Sequence, residues 1–298
     1  MIYQAISNFF LRPSDGRMLA VLRLVIGFAV FSEALLVLPH IDGLYGQQGY
    51  LQSHLMEAIA GPTLPSWSAR LGIDSVNFAH ILKAIFTLHI IFSAAFTLGY
   101  KTRKMNVALL VTQMAIVNSG WGSSYGIDRY LHCLLFITMW FPSGDHYSLD
   151  AKTKQSRPHN GSSYTLGCRL IQIFMLLSYV NAGMAKAMGT DWWTGSAVWE
   201  ALHIPEFNRF DLTWLASYPW ILKGLCLGTL FIETFYAIGF WLPRVGTFWV
   251  YMIISMHLAI AIVMDLTLFG LTMALINYAV FLVPLNRTKE AYEFKFSS

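Results

Sequence analysis

Apolar residues in this chain come in long runs rather than in alternation. From Met18 onward, stretches of roughly twenty nearly uncharged residues recur, separated by short polar or aromatic segments. A helix needs about 20 apolar residues to cross the hydrocarbon layer of a bilayer. On that measure the pattern predicts helices at 18–38, 79–98, 105–120, 125–141, 165–185, 221–242, 246–264 and 266–285. The third and fourth are short for the task, and only a turn near Met264–Thr267 divides the last two. The expected fold is all-α: a polytopic transmembrane helix bundle of about eight spans, with seven or nine fitting the periodicity equally. It is expected to fill 1–298 as one domain, with no separate soluble domain. The first run ends at Pro39–His40 without a small-residue cleavage pattern, so it reads as a retained helix and not a signal peptide.

Composition strengthens this picture. Hydrophobic residues make up 56% of the chain and charged ones 12%, and the mean hydropathy is +0.52. Soluble domains carry about 25% charged residues, so too few charges remain here to cover a water-facing surface. The net charge of +4 is small, and the basic residues sit between apolar runs. They therefore read as membrane-orienting charges and not as a nucleic-acid patch. If eight spans alternate, Arg12, Arg17, Lys101, Arg103, Lys104, Lys152, Lys154, Arg157, Arg244, Arg287, Lys289 and Lys295 share one side, against Arg70, Lys186 and Arg209 on the other. That bias predicts a multi-pass cell-membrane protein with both termini cytoplasmic. The outward loops, 39–78 and 186–220, are long and aromatic. Trp192, Trp193, Trp199, Trp214 and Trp220 fit an interfacial belt, and Thr194–Leu202 fits a short helix lying in the interface. The three cysteines form no CxxC, and the histidines show no metal-ligand spacing, so neither a disulfide framework nor a metal site is expected.

Ionisable residues inside apolar helices are costly and are functional candidates by default. They are Arg23, Glu33, Asp128, Arg129, His132, Glu233, His257 and Asp265. The competing structural reading for each is an inter-helix hydrogen bond or ion pair. By the assigned topology, Asp128, Arg129, Lys186, Asp191, Asp265, Glu33 and His257 all fall in the outer half of the membrane. That placement predicts one outward polar pocket walled by aromatic residues. Lys186, in YVNAGMAKAMGTDWW, carries the most weight. Desolvated, its amine would become a general base. Left at the interface it would simply snorkel, and its removal would then leave no unpaired buried charge. Asp191, if close and ionised, would oppose the base role.

At these residues the chain resembles a known family. Ala182–Lys186 (AGMAK) followed by Asp191–Trp193 (DWW) looks like the fifth-helix motif of the vitamin K-dependent γ-glutamyl carboxylases and their bacterial HTTM-domain relatives. PSDGRMLAVLRLVIGF with Arg23 is similar to that family's opening helix. DRYLHCLLFITMWFPSGDHYSLD is similar to its fourth helix and following loop, and HLAIAIVMDLTLFGLTMALINYAVFL, with His257 and Phe269, to its last helix pair. The resemblance covers essentially the whole chain, and it lies more in the order of the motifs than in any one of them.

The resemblance implies a quinone-dependent, carboxylase-like or epoxidase-like lyase. In that family a lysine deprotonates vitamin K hydroquinone, oxygen converts the product to a strong base, and a peptide Glu loses its γ-proton before CO₂ adds. Lys186 takes that lysine's place. Asp128, Arg129, Asp191, Trp192, His257 and Asp265 would line the site for a vitamin K-type quinone or hydroquinone and a peptide or small substrate. Two departures stand out. Asp128 replaces the functional His of the animal enzymes, and their large extra-membrane substrate domain has no counterpart. The sporulation-delaying protein B group, small membrane proteins of this shape that act with a partner in maturing a secreted peptide toxin, fits these departures. Its resemblance implies a non-catalytic alternative in peptide-toxin maturation or immunity. The implied partners are the lipid bilayer, a secreted peptide and a small partner protein.

Overall fold

The computed structural model describes residues 2–50, 53–120, 124–153, 161–207, 209–243 and 245–284, and among these every regular element is helical. Eight main helices are labelled α1 (Arg17–Val37), α2 (Ser75–Leu98), α3 (Thr102–Ser119), α4 (Gly126–Thr138), α5 (Gly161–Ala187), α6 (Pro219–Thr234), α7 (Gly246–Val263) and α8 (Thr267–Asn277). Four segments are long and apolar enough to cross a membrane: Arg17–Tyr45, which continues α1 through the tight turn at Leu38–His40, and α2, α5 and α7. The others fall short individually. α4 has 13 residues, and α6 has 16 and starts on Pro219. α8 reaches 16 residues only with the π turn Tyr278–Leu282 that continues it.

The helix ends follow from local chemistry. Asp74 caps α2, its Oδ1 accepting the Val76 and Asn77 N–H groups at 3.0 Å each. Those bonds, led by the Asn77 N–H, hold the Asp74 carboxyl below the usual carboxylate range. Gly99 ends α2 at φ +69, a left-handed conformation that a side chain disfavours. Asp150 then accepts the Lys101 and Thr102 N–H groups (2.8 and 2.7 Å) and the Thr102 hydroxyl (2.8 Å), closing the orphan N-terminus of α3.

The chain forms two compact units, 1–167 and 168–298. In the first, α1 packs on α2, α2 on α3, α3 on α4, and α4 returns to α1. The closed ring buries Leu22, Ile26, Leu82, Phe86, Leu109 and Leu134. At its centre Arg23 is fully buried, and its guanidinium donates to the carbonyls of Ser143 (2.8 Å), His146 (3.2 Å) and Tyr147 (2.5 Å). Arg23 thus clamps the loop after α4, as its structural reading expects. In the second unit α7 packs on α8 and α6 on α7. Two short helices, Thr190–Thr194 and Ser196–Leu202, lie against α6 in place of the single one expected over 194–202. α5 approaches α6 closely because Gly183 has no side chain, and a Cβ there would meet the Thr234 backbone.

Polar and apolar residues are distributed in the reverse of a water-soluble bundle. Arg23, Asn106, Gln113, Asp128, Glu233, His257 and Asn277 are buried, while Phe28, Leu36, Val111, Leu177, Phe248 and Ile262 are more than half exposed. Helices that turn apolar side chains outward and polar ones inward are adapted to an apolar solvent. Lys154, Arg157, Arg244, Arg287, Lys289 and Lys295, which carry half of the charge asymmetry, lie outside the described residues.

Candidate functional site

The predicted site residues fall in both units. Asp128 and Arg129 belong to the first; Lys186, Asp191, Trp192, His257 and Asp265 belong to the second.

In the first unit Asp128 sits at the third position of α4 and is 1% exposed. Its Oδ2 accepts the Tyr125 N–H at 2.8 Å, capping the helix, and Gln113 of α3 donates to Oδ1 at 3.5 Å. The Glu33 carboxyl of α1 lies near both Asp128 and Gln113. Glu33 Oε2 and His132 Nε2 have no partner, while His89 Nδ1 meets the Thr112 hydroxyl at 2.7 Å. Arg129, the next residue along, is exposed and forms no ion pair among the described residues.

In the second unit Lys186, at the end of α5, is only partly exposed and pairs with Glu233 of α6 at 2.5 Å (Nζ–Oε2). Glu233 is buried, with its side chain 7% exposed. This corrects the expectation that removing Lys186 leaves no unpaired buried charge: its charge compensates a carboxylate deep in the helix packing. Trp192 lies beneath the ammonium, its ring centre 5.4 Å from Nζ. Lys186 thus pairs with Glu233 and not with Asp191, which is exposed and takes only a long contact from the Thr190 hydroxyl (3.4 Å). Asp265 holds the turn between α7 and α8 at φ +54, exposed and paired with Arg209 at 3.2 Å.

His257, midway along α7, is 4% exposed and anchors a buried chain of hydrogen bonds. Its Nε2 meets the Tyr179 hydroxyl at 2.8 Å. Asn277 Nδ2 donates to that hydroxyl oxygen at 2.6 Å and to the Met273 carbonyl at 2.8 Å, and Tyr236 donates to Asn277 Oδ1 at 3.1 Å. When Tyr179 donates its proton to Nε2, the neutral imidazole carries its own proton on Nδ1. Nδ1 is buried and has no partner, and such an orphan donor costs about 1–3 kcal/mol unless an acceptor meets it.

Tyr179, Tyr236 and Asn277 are site residues that sequence reasoning missed, and Glu233 entered it only as a scattered charge. A signal existed for Asn277. It is an amide in an otherwise apolar helix, and the π turn that starts at the next residue is a distortion that recurs at functional sites. Among the described residues no group of three His, Cys, Asp or Glu side chains is placed to hold a metal. Comparison with protein families, with curated proteins and with solved structures finds no match.

Proposed function

We propose that the chain is an eight-span membrane protein with both termini cytoplasmic, and that Lys186, Glu233 and His257 form a proton-exchanging site of the carboxylase-like kind. The observation that carries the reading is a short Lys186–Glu233 pair in the same unit as a buried histidine whose Nδ1 has no hydrogen-bond partner among the described residues. The donor set fits an oxygen ligand. An ammonium and a fixed N–H both seek an acceptor, as a quinone or hydroquinone oxygen is. When bound, a hydroquinone of the vitamin K type would supply an ionisable, oxidisable hydroxyl.

The residues' own part is proton handling. In the paired state Lys186 is an ammonium and cannot act as a base by itself. It becomes one by passing a proton from Nζ to Glu233 Oε2, which frees the nitrogen to take a proton from a hydroxyl held against it. Lysine and carboxyl then work as one unit, with Glu233 the final proton store. His257 would donate from Nδ1 to a ligand oxygen, held in that tautomer by Tyr179, Asn277 and Tyr236. The substrate would be a peptide or a small molecule.

The alternative, a non-catalytic module in peptide-toxin maturation or immunity, draws on the fact that the Lys186–Glu233 pair is already internally satisfied. Mass spectrometry of lipids and quinones co-purifying with the native protein tests the main reading. A quinone retained by wild type, with oxygen uptake that is lost in Lys186→Arg, supports it. A preparation free of quinone, with toxin maturation intact in Lys186→Arg, refutes it.

A further inference from the structure

The first unit contains a second polar feature that the proton-exchanging site does not use. Where α2 ends and α3 begins, the structure has a cavity of about 460 Å³, lined by Lys101, Arg103, Lys104, Trp140, Phe141 and Asp150 among others. Its charges are unequal in availability. Asp150 is spent on three hydrogen bonds at the start of α3, and Asp145, the other carboxylate in the wall, accepts the Tyr164 hydroxyl at 2.7 Å. Arg103 and Lys104 are exposed and form no ion pair among the described residues. The Lys101 ammonium lies over the Tyr100 ring at 5.2 Å. The cavity therefore offers three cations, and the two carboxylates in its wall are already hydrogen-bonded.

Met139, Trp140, Phe141 and Pro142 make one part of its wall apolar and aromatic. Trp140 is more than half exposed, and in the chain beside the lining Leu98, Tyr100 and Leu149 are about half exposed. Trp and Tyr gather where a spanning helix leaves the hydrocarbon layer, and basic pockets at that depth suit anionic headgroups.

We infer that this cavity binds the phosphate headgroup of an anionic glycerophospholipid, with Arg103, Lys104 and Lys101 around the phosphate and Trp140 against the glycerol–acyl boundary. The phosphate accounts for the cations, and the attached chains account for the apolar part of the wall. Free inorganic phosphate would satisfy the first and leave the second unused. The inference rests on the membrane embedding proposed above, which alkaline-carbonate extraction tests separately. Protein released by carbonate would sink the membrane reading whatever the lipid result.

The experiment uses the full chain in neutral detergent, with dioleoylphosphatidylglycerol, dioleoylphosphatidylcholine and inorganic phosphate as probes. Native mass spectrometry reads the bound fraction. The expected result is retention of phosphatidylglycerol over phosphatidylcholine, weakened roughly tenfold or more in the double variant Arg103→Gln/Lys104→Gln. Lys152→Gln, a basic residue on the neighbouring segment but outside the cavity wall, should change nothing. Both altered side chains of the double variant are exposed and unpaired, so the fold should survive, and an unchanged thermal midpoint confirms it. Equal retention of the two lipids, or retention unaffected by the double substitution, overturns the inference. Protection by inorganic phosphate equal to that by phosphatidylglycerol overturns the lipid as the source.

Discussion

Replacing Lys186 by alanine tests the reasoning about the second unit most directly. Glu233 has a side chain 7% exposed, and Lys186 is its ion-pair partner at 2.5 Å. Removing the amine leaves two outcomes. If the carboxylate stays ionised it is a buried unpaired charge, worth about 3–5 kcal/mol of destabilisation. If it takes a proton, the loss shrinks to the charge-assisted hydrogen bond, about 1.5–3 kcal/mol. Part of Lys186 is already in contact with its surroundings, which screens the pair and favours the lower half of that span, about 2–3 kcal/mol. For a chain of this size each kcal/mol moves the thermal midpoint by about 2–4 °C, so a fall of roughly 4–12 °C is expected. Removing the stranded carboxylate as well should restore most of it, so Lys186→Met/Glu233→Leu should melt within about 3 °C of wild type. Thermal unfolding in detergent, followed by tryptophan fluorescence, measures all three proteins. A single variant that melts like wild type would show that the ion pair contributes nothing. Equal losses in the single and double variants would show that packing, and not charge, is at stake. The functional counterpart is Lys186→Arg. It keeps the ion pair and the midpoint but cannot pass its proton on, so quinone-dependent oxygen uptake should fall to background.

Other substitutions probe the remaining assignments. Arg23→Lys should destabilise by about 2–4 kcal/mol in the same melting assay, because one ammonium cannot serve the three carbonyls of Ser143, His146 and Tyr147 as the guanidinium does; a midpoint equal to wild type would refute the clamp. Asp128→Ala should cost about 0.5–2 kcal/mol through loss of the α4 cap. Glu33→Gln should be neutral or stabilising, since an amide cannot add a second negative charge beside Asp128, and a clear loss of stability would count against the carboxyl pair. The Asp74 cap should fail only in acid. Its carboxyl is held low in the folded protein, so its contribution is complete above the ordinary carboxyl range and is lost as pH falls through the lowered value. Hydrogen exchange at Val76 and Asn77 should accelerate there, and in Asp74→Ala at every pH. For topology, Ser156→Cys should be labelled only from the cytoplasmic side and Ser53→Cys only from outside.

Much of the architecture was legible in the sequence, because a helix in lipid is written as a long apolar run bounded by breakers. The start of α7 and the break at Met264–Thr267 fall where the apolar runs are interrupted, whereas Asp74 starts α2 at Ser75 and not at 79, and α6 begins on Pro219 and not at 221. The inward placement of Asp128, Glu233 and His257 follows from the cost of a polar group facing hydrocarbon. What the sequence could not supply was partnership. Lys186 and Glu233 are 47 positions apart, and Tyr179, His257 and Asn277 come from three helices. No period or spacing links them, since helix rotation and crossing decide which side chains meet. The same polar residues therefore read as scattered charges in the chain and as specific pairs in the fold. Only the tertiary structure turned a snorkelling lysine into the counter-ion of a buried carboxylate and Arg23 into a clamp. Tertiary structure also decided which nitrogen of His257 meets a hydroxyl and which meets none, because only packing distinguishes the surroundings of an imidazole's two nitrogens.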